Sequence, residues 1–245
     1  MDAKYNGISS MSFLKAEWRK LAIFNYEVPP EILMTHLPLG TELDLWQGKC
    51  YVSVVGFLFQ NTKLLGVKIP FHVNFEQVNL RFYVKRIVNG ETRKGVVFIK
   101  EIAPKWALSI VANIAYKEHY ETRIMKHQWN CKDGMLAVEY HWKLPTAWQS
   151  IAIKATNTLV PIAEGSEAEF ITEHYWGYAR VSATKTNEYE VTHPRWLQYP
   201  VISATARFDF ETNYGAEFAF LNEVGPTSVL LAEGSEITIE SKTRL

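Results

Sequence analysis

Between residues 49 and 60 the chain is apolar on both of the faces that a strand would present. Tyr51, Ser53, Val55, Phe57 and Phe59 alternate with Val52, Val54, Gly56 and Leu58. Successive side chains of a strand point to opposite faces, so this segment is expected to be central and covered on both sides. Residues 75–87 alternate differently. Val78, Leu80, Phe82 and Val84 form an apolar face, while Asn79, Arg81, Tyr83 and Lys85 form a polar one. Further strands are expected at 17–28, 95–101, 187–194, 204–211 and 227–240. Residues 42–46 and 49–60 read as a hairpin around Gln47-Gly48, and 123–130 with 135–142 as another, turning at Lys132-Asp133-Gly134. Asn89-Gly90 is a strong turn signal.

Helical signals are few and short. Pro29-Pro30 opens a helix at 31–37, since proline is tolerated in a first turn. Residues 104–116 carry an apolar stripe of Ala107, Ile110, Val111 and Ile114. Ser166 and Glu169 have the spacing of a capping box at the head of a helix over 166–172, and a last short helix is expected at 213–221. Residues 143–165 read as an amphipathic or loop segment. Many strands with few helices predict a mainly β (α+β) chain, an antiparallel barrel or sandwich with a few short helices. Residues 1–14 are expected to be a tail, and 15–245 a single domain.

Composition narrows the function classes. The chain has 245 residues, 47% of them hydrophobic, enough for a substantial core. Lys plus Arg and Asp plus Glu both number 26, so the net charge is zero and no nucleic-acid partner is indicated. The apolar stretches at 51–59 and 106–116 are too short to cross a bilayer, and no membrane partner is expected. Residues 1–10 lack the apolar core of a signal peptide, so a cytoplasmic location is expected. Cys50 and Cys131 lack metal-like spacing, and His119, His127 and His141 fit no known metal site. No metal and no cofactor are expected. There is no dinucleotide or phosphate loop and no Gly-x-Ser-x-Gly elbow. Ser166 has a sufficient role as a helix cap.

Two segments carry candidate chemistry. In 74–81, Glu76 shares the apolar face with Val78 and Leu80, where a carboxylate needs a partner or a raised pKa. Asn79 and Arg81 stand beside it, the latter offering a planar fork for a carboxylate. In 173–178, three aromatics, a histidine and a carboxylate fall within six residues. Strand alternation would put His174, Trp176, Tyr178 and Arg180 on one face, as the wall of a ligand cavity. The end of the helix at 104–116 adds an imidazole, His119, and a phenol, Tyr120.

Asn25-Tyr26-Glu27-Val28-Pro29-Pro30-Glu31 and Pro38-x-Gly40-Thr41-Glu42-Leu43-Asp44 resemble the start of the DUF2071, or YqjF-like, family. Asn74-Phe75-Glu76-Gln77-Val78-Asn79-Leu80-Arg81 and Glu173-His174-Tyr175-Trp176-Gly177-Tyr178 match its other signatures. The resemblance covers about residues 18–237. It implies a fold like acetoacetate decarboxylase: a closed, cone-shaped antiparallel β-barrel with a central cavity. The decarboxylases carry a Gly-Arg-Glu…Pro-Lys-Lys segment whose first lysine forms a Schiff base. Aligned on residues 112–121, Asn113 stands for the arginine, Ile114 for the glutamate, His119 for the proline, Tyr120 for the Schiff-base lysine and Glu121 for its neighbour. A rival alignment on residues 101–106 retains Lys105 without a second lysine.

Three functions follow as expectations. The first is a small-molecule-binding protein, an enzyme or not, that takes a small carboxylated or aromatic metabolite without a Schiff base. Glu76, Tyr120 and His174 would move protons, and Asn79, Arg81, Trp106, Trp176 and Tyr178 would bind substrate. The second is a decarboxylase-type lyase using Lys105. The third is a non-catalytic structural or interaction protein. The resemblance leaves a homo-oligomer open.

Overall fold

The computed structural model describes residues 12–105 and 119–245, and these are mainly β. Strands β1 (Leu14–Val28), β2 (Glu42–Leu43), β3 (Cys50–Leu64), β4 (Phe75–Val88), β5 (Glu91–Ala103) and β6 (Tyr120–Thr122) are followed by β7 (Met125–Lys132), β8 (Met135–Lys143) and β9 (Trp148–Thr156). The rest are β10 (Val160–Pro161), β11 (Trp176–Ser182), β12 (Lys185–Thr192), β13 (Leu197–Tyr199), β14 (Val201–Arg207), β15 (Ser228–Ile239) and β16 (Thr243–Arg244). Helices are short: α1 (Pro30–Met34), α2 (Glu167–Thr172), α3 (Phe210–Tyr214) and a 3-10 turn at Ala216–Glu223.

The larger sheet has twelve strands and the smaller, ordered β14-β9-β8-β7, has four. In the larger one, β15 pairs with β1 along its length and with β12 through Val191↔Ile239 and Thr192↔Thr238. The pairings thus run from β15 through β1, β3, β4, β5, β11 and β12 and return to β15. Two junctions depart from the expected antiparallel order. β11 runs parallel to β5 at Trp176↔Gly95 and Gly177↔Val96, and β6 also runs parallel to β5.

Both faces of β3 and β4 are covered, and this divides the core in two. Val52, Val54, Val78, Leu80, Phe82 and Val84 pack against Val138, Tyr140, Ile151 and Ile153 of the smaller sheet. The opposite face holds Val55, Phe57, Phe59, Phe75 and Tyr83, together with Phe170 and Ile171 of α2 and Trp196. Each fully buried aliphatic or aromatic side chain contributes about 1.5–3 kcal/mol relative to exposure. The smaller sheet therefore makes the first face apolar and turns the polar residues of β4 the other way.

Several expected elements take a different form. Gln47-Gly48 does turn the chain, with φ of 49° and 79°, but its flanks meet only at the Trp46↔Lys49 bridge. The expected first arm, β2, pairs with β4 instead, because β1 already occupies the other edge of β3. Residues 143–165 contain a full strand, β9, in which Gln149, Ile151, Ile153 and Ala155 face inward. A polar glutamine and a small alanine at its ends blur the apolar alternation. Ser12 is already buried and Leu14 opens β1, so the expected tail does not extend to residue 14. The helix expected at 104–116 lies almost wholly outside the described residues.

Gly95 tests the parallel junction. A Cβ there would lie 2.6 Å from the Trp176 carbonyl oxygen and 2.6 Å from Cε2 of Tyr178. Gly95→Ala should lose about 1–3 kcal/mol by overpacking, read as a lower midpoint in urea unfolding. Gly225→Ala, where nothing lies within 4 Å, should stay near wild type. Equal midpoints for the two variants would contradict this view of the junction.

Candidate functional site

On β4, Gln77, Asn79, Arg81 and Tyr83 follow Phe75 on the face that points away from the smaller sheet, and all four are buried. Glu101 of β5 lies directly across from Asn79 in the strand register. Gln77 Nε2 donates to Glu101 Oε1 at 2.5 Å. Parallel pairing of β6 with β5 sets Tyr120 beside Glu101, and the Tyr120 phenol also hydrogen-bonds the carboxyl. Burial disfavours the ionised form of Glu101 more than these two bonds favour it, and pushes its pKa up to about 8.

The second side of the site comes from the turn after α2. Ser166 Oγ accepts from Glu169 N at 3.2 Å, and Glu169 Oε2 accepts from Gly165 N at 2.6 Å, which together fix the helix start. The helix ends at Glu173, whose φ of −95° and ψ of 53° are neither helical nor extended. This turn carries His174 inward, where its ring packs on Tyr83 and Phe170 with centroids 4.9 and 5.0 Å away. His174 Nε2 lies 3.2 Å from Asp44 Oδ2, and Lys94 Nζ lies 3.6 Å from the same oxygen. Burial holds the His174 pKa below its ordinary value, against the opposing pull of Asp44. Burial opposes ionisation of Asp44, but His174, Lys94 and Lys85 outweigh it and lower its pKa.

Gln77, Asn79, Arg81, Glu101, Tyr120 and His174 border one pocket. Its apolar side includes Trp18, Phe57, Phe59 and Trp196, with Trp18 centroids 5.3 Å from Phe57 and 6.3 Å from Trp196. The space open to the centre of a water molecule is about 80 Å³. One ordered water needs ~10–15 Å³ on that measure, so the pocket has room for a small molecule. Several buried polar atoms in the lining have no hydrogen-bond partner among the described residues: Gln77 Oε1, Asn79 Oδ1, Arg81 Nε and His174 Nδ1. The Arg81 guanidinium instead reaches the Ile171 carbonyl at 3.4 Å.

The structure brings Asn79, Arg81, Tyr120 and His174 together. Trp176 also borders the pocket, but it packs on the core that holds Tyr178, two residues on in β11, with the Arg93 guanidinium 4.2 Å from its ring centroid. Glu76 does not join them. It projects from the opposite face of β4, where His127 Nδ1 lies 2.7 Å from its Oε1 and holds its pKa down. Strand alternation forbids residue 76 from sharing a face with residues 79 and 81. Tyr178 is also on the far side, fully buried in the core shared with the smaller sheet. Its expected alignment with His174 fails because β11 begins only at Trp176, after the Glu173 turn. Arg180 points outward, with Nη1 donating to the Thr35 carbonyl at 2.9 Å. Trp106 lies outside the described residues. Lys105 is among the charges that act on Glu76 and is not among the residues lining the pocket.

Sequence reasoning missed Gln77, Glu101 and Asp44. Gln77 was visible as the third polar residue of the 77, 79, 81 alternation. Glu101 was a charge at the end of the apolar run 96–99, and Asp44 ended a signature segment. Among the described residues no three His, Cys, Asp or Glu side chains are placed to hold a metal ion. No helix among them is long and apolar enough to cross a membrane.

Comparison with known proteins places the architecture. The sequence model of DUF2071, described as an uncharacterized conserved protein, matches residues 15–236. Among solved structures, acetoacetate decarboxylase from Legionella pneumophila superposes with a TM-score of 0.63 at 14% identity, covering 95% of this chain and 86% of that one. An acetoacetate decarboxylase-like enzyme from Sphingomonas wittichii gives 0.61 at 11% identity, with 96% and 93% covered. The enduracididine biosynthesis enzyme MppR complexed with pyruvate gives 0.65 at 10% identity, with 98% and 93% covered. At these identities the likeness is one of fold. No curated protein matches the sequence.

The Glu101 environment has a measurable consequence. Its folded pKa of about 8 lies above the free value of 4.5. Its contribution to stability is therefore complete below the free value and is lost as pH rises through the folded one. Between them, wild-type stability relative to Glu101→Gln should fall by up to about 1.4 kcal/mol per pH unit. Urea unfolding of both proteins across that range checks this, and a constant difference would contradict the raised pKa.

Proposed function

The chain belongs to the DUF2071 family, and we propose that it binds a small carboxylic acid in the pocket of its acetoacetate decarboxylase-like fold, without a Schiff base. We read the ring of paired strands as a closed barrel around that pocket. The carrying observation is the buried Arg81 guanidinium, which lines the pocket and whose Nε has no hydrogen-bond partner among the described residues. A buried donor left unpaired costs about 1–3 kcal/mol, and a carboxylate that accepts from Arg81 recovers that cost. Arg81 sets the sign of the ligand's charge. A guanidinium this buried calls for an anion, and its planar fork matches a carboxylate.

Strand geometry sets the ligand's size. Alternate residues of a strand lie about 7 Å apart, and Glu101 sits opposite Asn79, one such step from Arg81. At that spacing the two long side chains can converge on neighbouring groups of one small acid. With its pKa raised, Glu101 is largely protonated at neutral pH and can donate a hydrogen bond to a carbonyl oxygen. A 2-oxo acid offers a carboxylate and such an oxygen side by side. The pyruvate in MppR makes this class a natural first probe. No lysine is among the described residues that line the pocket, which supports a site that works without a Schiff base.

Titration calorimetry with pyruvate, 2-oxobutanoate and phenylpyruvate tests the reading. Saturable binding of at least one is expected, weakened by roughly 10-fold or more in Arg81→Met, as befits a lost charge-assisted hydrogen bond. Borohydride added to the complex should leave every lysine unmodified. No binding, or equal binding by Arg81→Met, would contradict the carboxylate site. A reduced adduct on a lysine would overturn the Schiff-base-free reading and favour the decarboxylase-type alternative.

A further inference from the structure

We propose that His174 is the general base of the pocket and Asp44 its positioning residue, and that with Glu101 they catalyse enolisation of a bound 2-oxo acid. This inference rests on the carboxylate site proposed above and adds a reaction to it. The geometry starts from Asp44, whose backbone N–H donates to the Tyr83 carbonyl at 3.0 Å. Its carboxylate, held ionised by His174, Lys94 and Lys85, can only accept hydrogen bonds. The proton of a neutral His174 ring therefore sits on Nε2, 3.2 Å from Asp44 Oδ2, and Nδ1 carries the lone pair. Tyr83 and Phe170 clamp the ring. Nδ1 is buried in a residue that lines the pocket and has no partner among the described residues.

The two titrating groups are biased in opposite directions. Burial favours the neutral imidazole at His174 and the neutral carboxyl at Glu101. A base and an acid are thus present together near neutral pH, the arrangement from which acid and base roles are assigned. Arg81 would hold the carboxylate of the oxo acid. His174 Nδ1 would take a proton from C3, breaking that C–H bond, and the electron pair would form the C2=C3 double bond. The C2=O π pair would take the Glu101 proton, giving an enol, an imidazolium and a carboxylate. The reverse steps restore the oxo acid, and in heavy water they leave deuterium at C3. No oxidant, reductant or metal enters the balance.

Proton NMR of 2-oxobutanoate and pyruvate in heavy water with the full chain tests this. C3–H signal loss should exceed the buffer rate, and His174→Gln should reduce the enzymatic rate by ~10²-fold or more while calorimetric binding persists. Asp44→Asn should slow exchange with binding retained. It should also move the acid limb of the pH–rate profile to lower pH, because the anion that favours the imidazolium is gone while Lys94 and Arg81 still oppose it. A purely structural role for Asp44 would leave that limb in place. Arg81-dependent binding without exchange, or exchange unchanged in His174→Gln, would overturn the inference and leave the carboxylate site standing. Failure of both acids to bind would overturn both.

Discussion

The structure depends on the burial of both faces of β4 and its neighbours. The smaller sheet covers one face with Val138, Tyr140, Ile151 and Ile153, and that face of β4 is accordingly Val78, Leu80, Phe82 and Val84. Polar residues cannot be accommodated there without partners, and Glu76 is held at its margin by His127. Gln77, Asn79 and Arg81 must then point away from the smaller sheet, towards the pocket. The pocket is polar on its β4 side because the sheet interface is not.

From this constraint follow the electrostatics of the site. Taken out of water, a carboxyl drifts towards its neutral form and so does an imidazole. Glu101 and His174 show both drifts within one pocket, one tempered by Gln77 and Tyr120, the other by Asp44. The apolar side formed by Trp18, Phe57, Phe59 and Trp196 keeps the surroundings dry enough for the effect to persist. A salt bridge on Arg81 would have quenched this site. Among the described residues Arg81 makes a long contact with the Ile171 carbonyl and no salt bridge.

Much of the fold was legible in the periodicity. The two apolar faces of β3, the split faces of β4, the turn at Asn89-Gly90 and the Ser166 cap all appear where the sequence predicts them. What alternation could not supply was which face met which neighbour. Glu76 looked interesting because a carboxylate sat among valine and leucine, yet that apolar face is the sheet interface and the polar one lines the pocket. Tyr178 was misplaced for a related reason, since the Glu173 turn breaks the phase between His174 and β11. Glu101 and Asp44 depend on contacts between distant segments, Asp44 meeting His174 across 130 residues. The parallel β5–β11 junction is equally non-local.

A crystal structure of the chain grown with a saturating small 2-oxo acid, beginning with pyruvate, tests the central claim most directly. The account predicts the carboxylate on the Arg81 guanidinium and the carbonyl oxygen facing Glu101, with every lysine unmodified. Density continuous with a lysine side chain would contradict it, as would pyruvate bound away from Arg81.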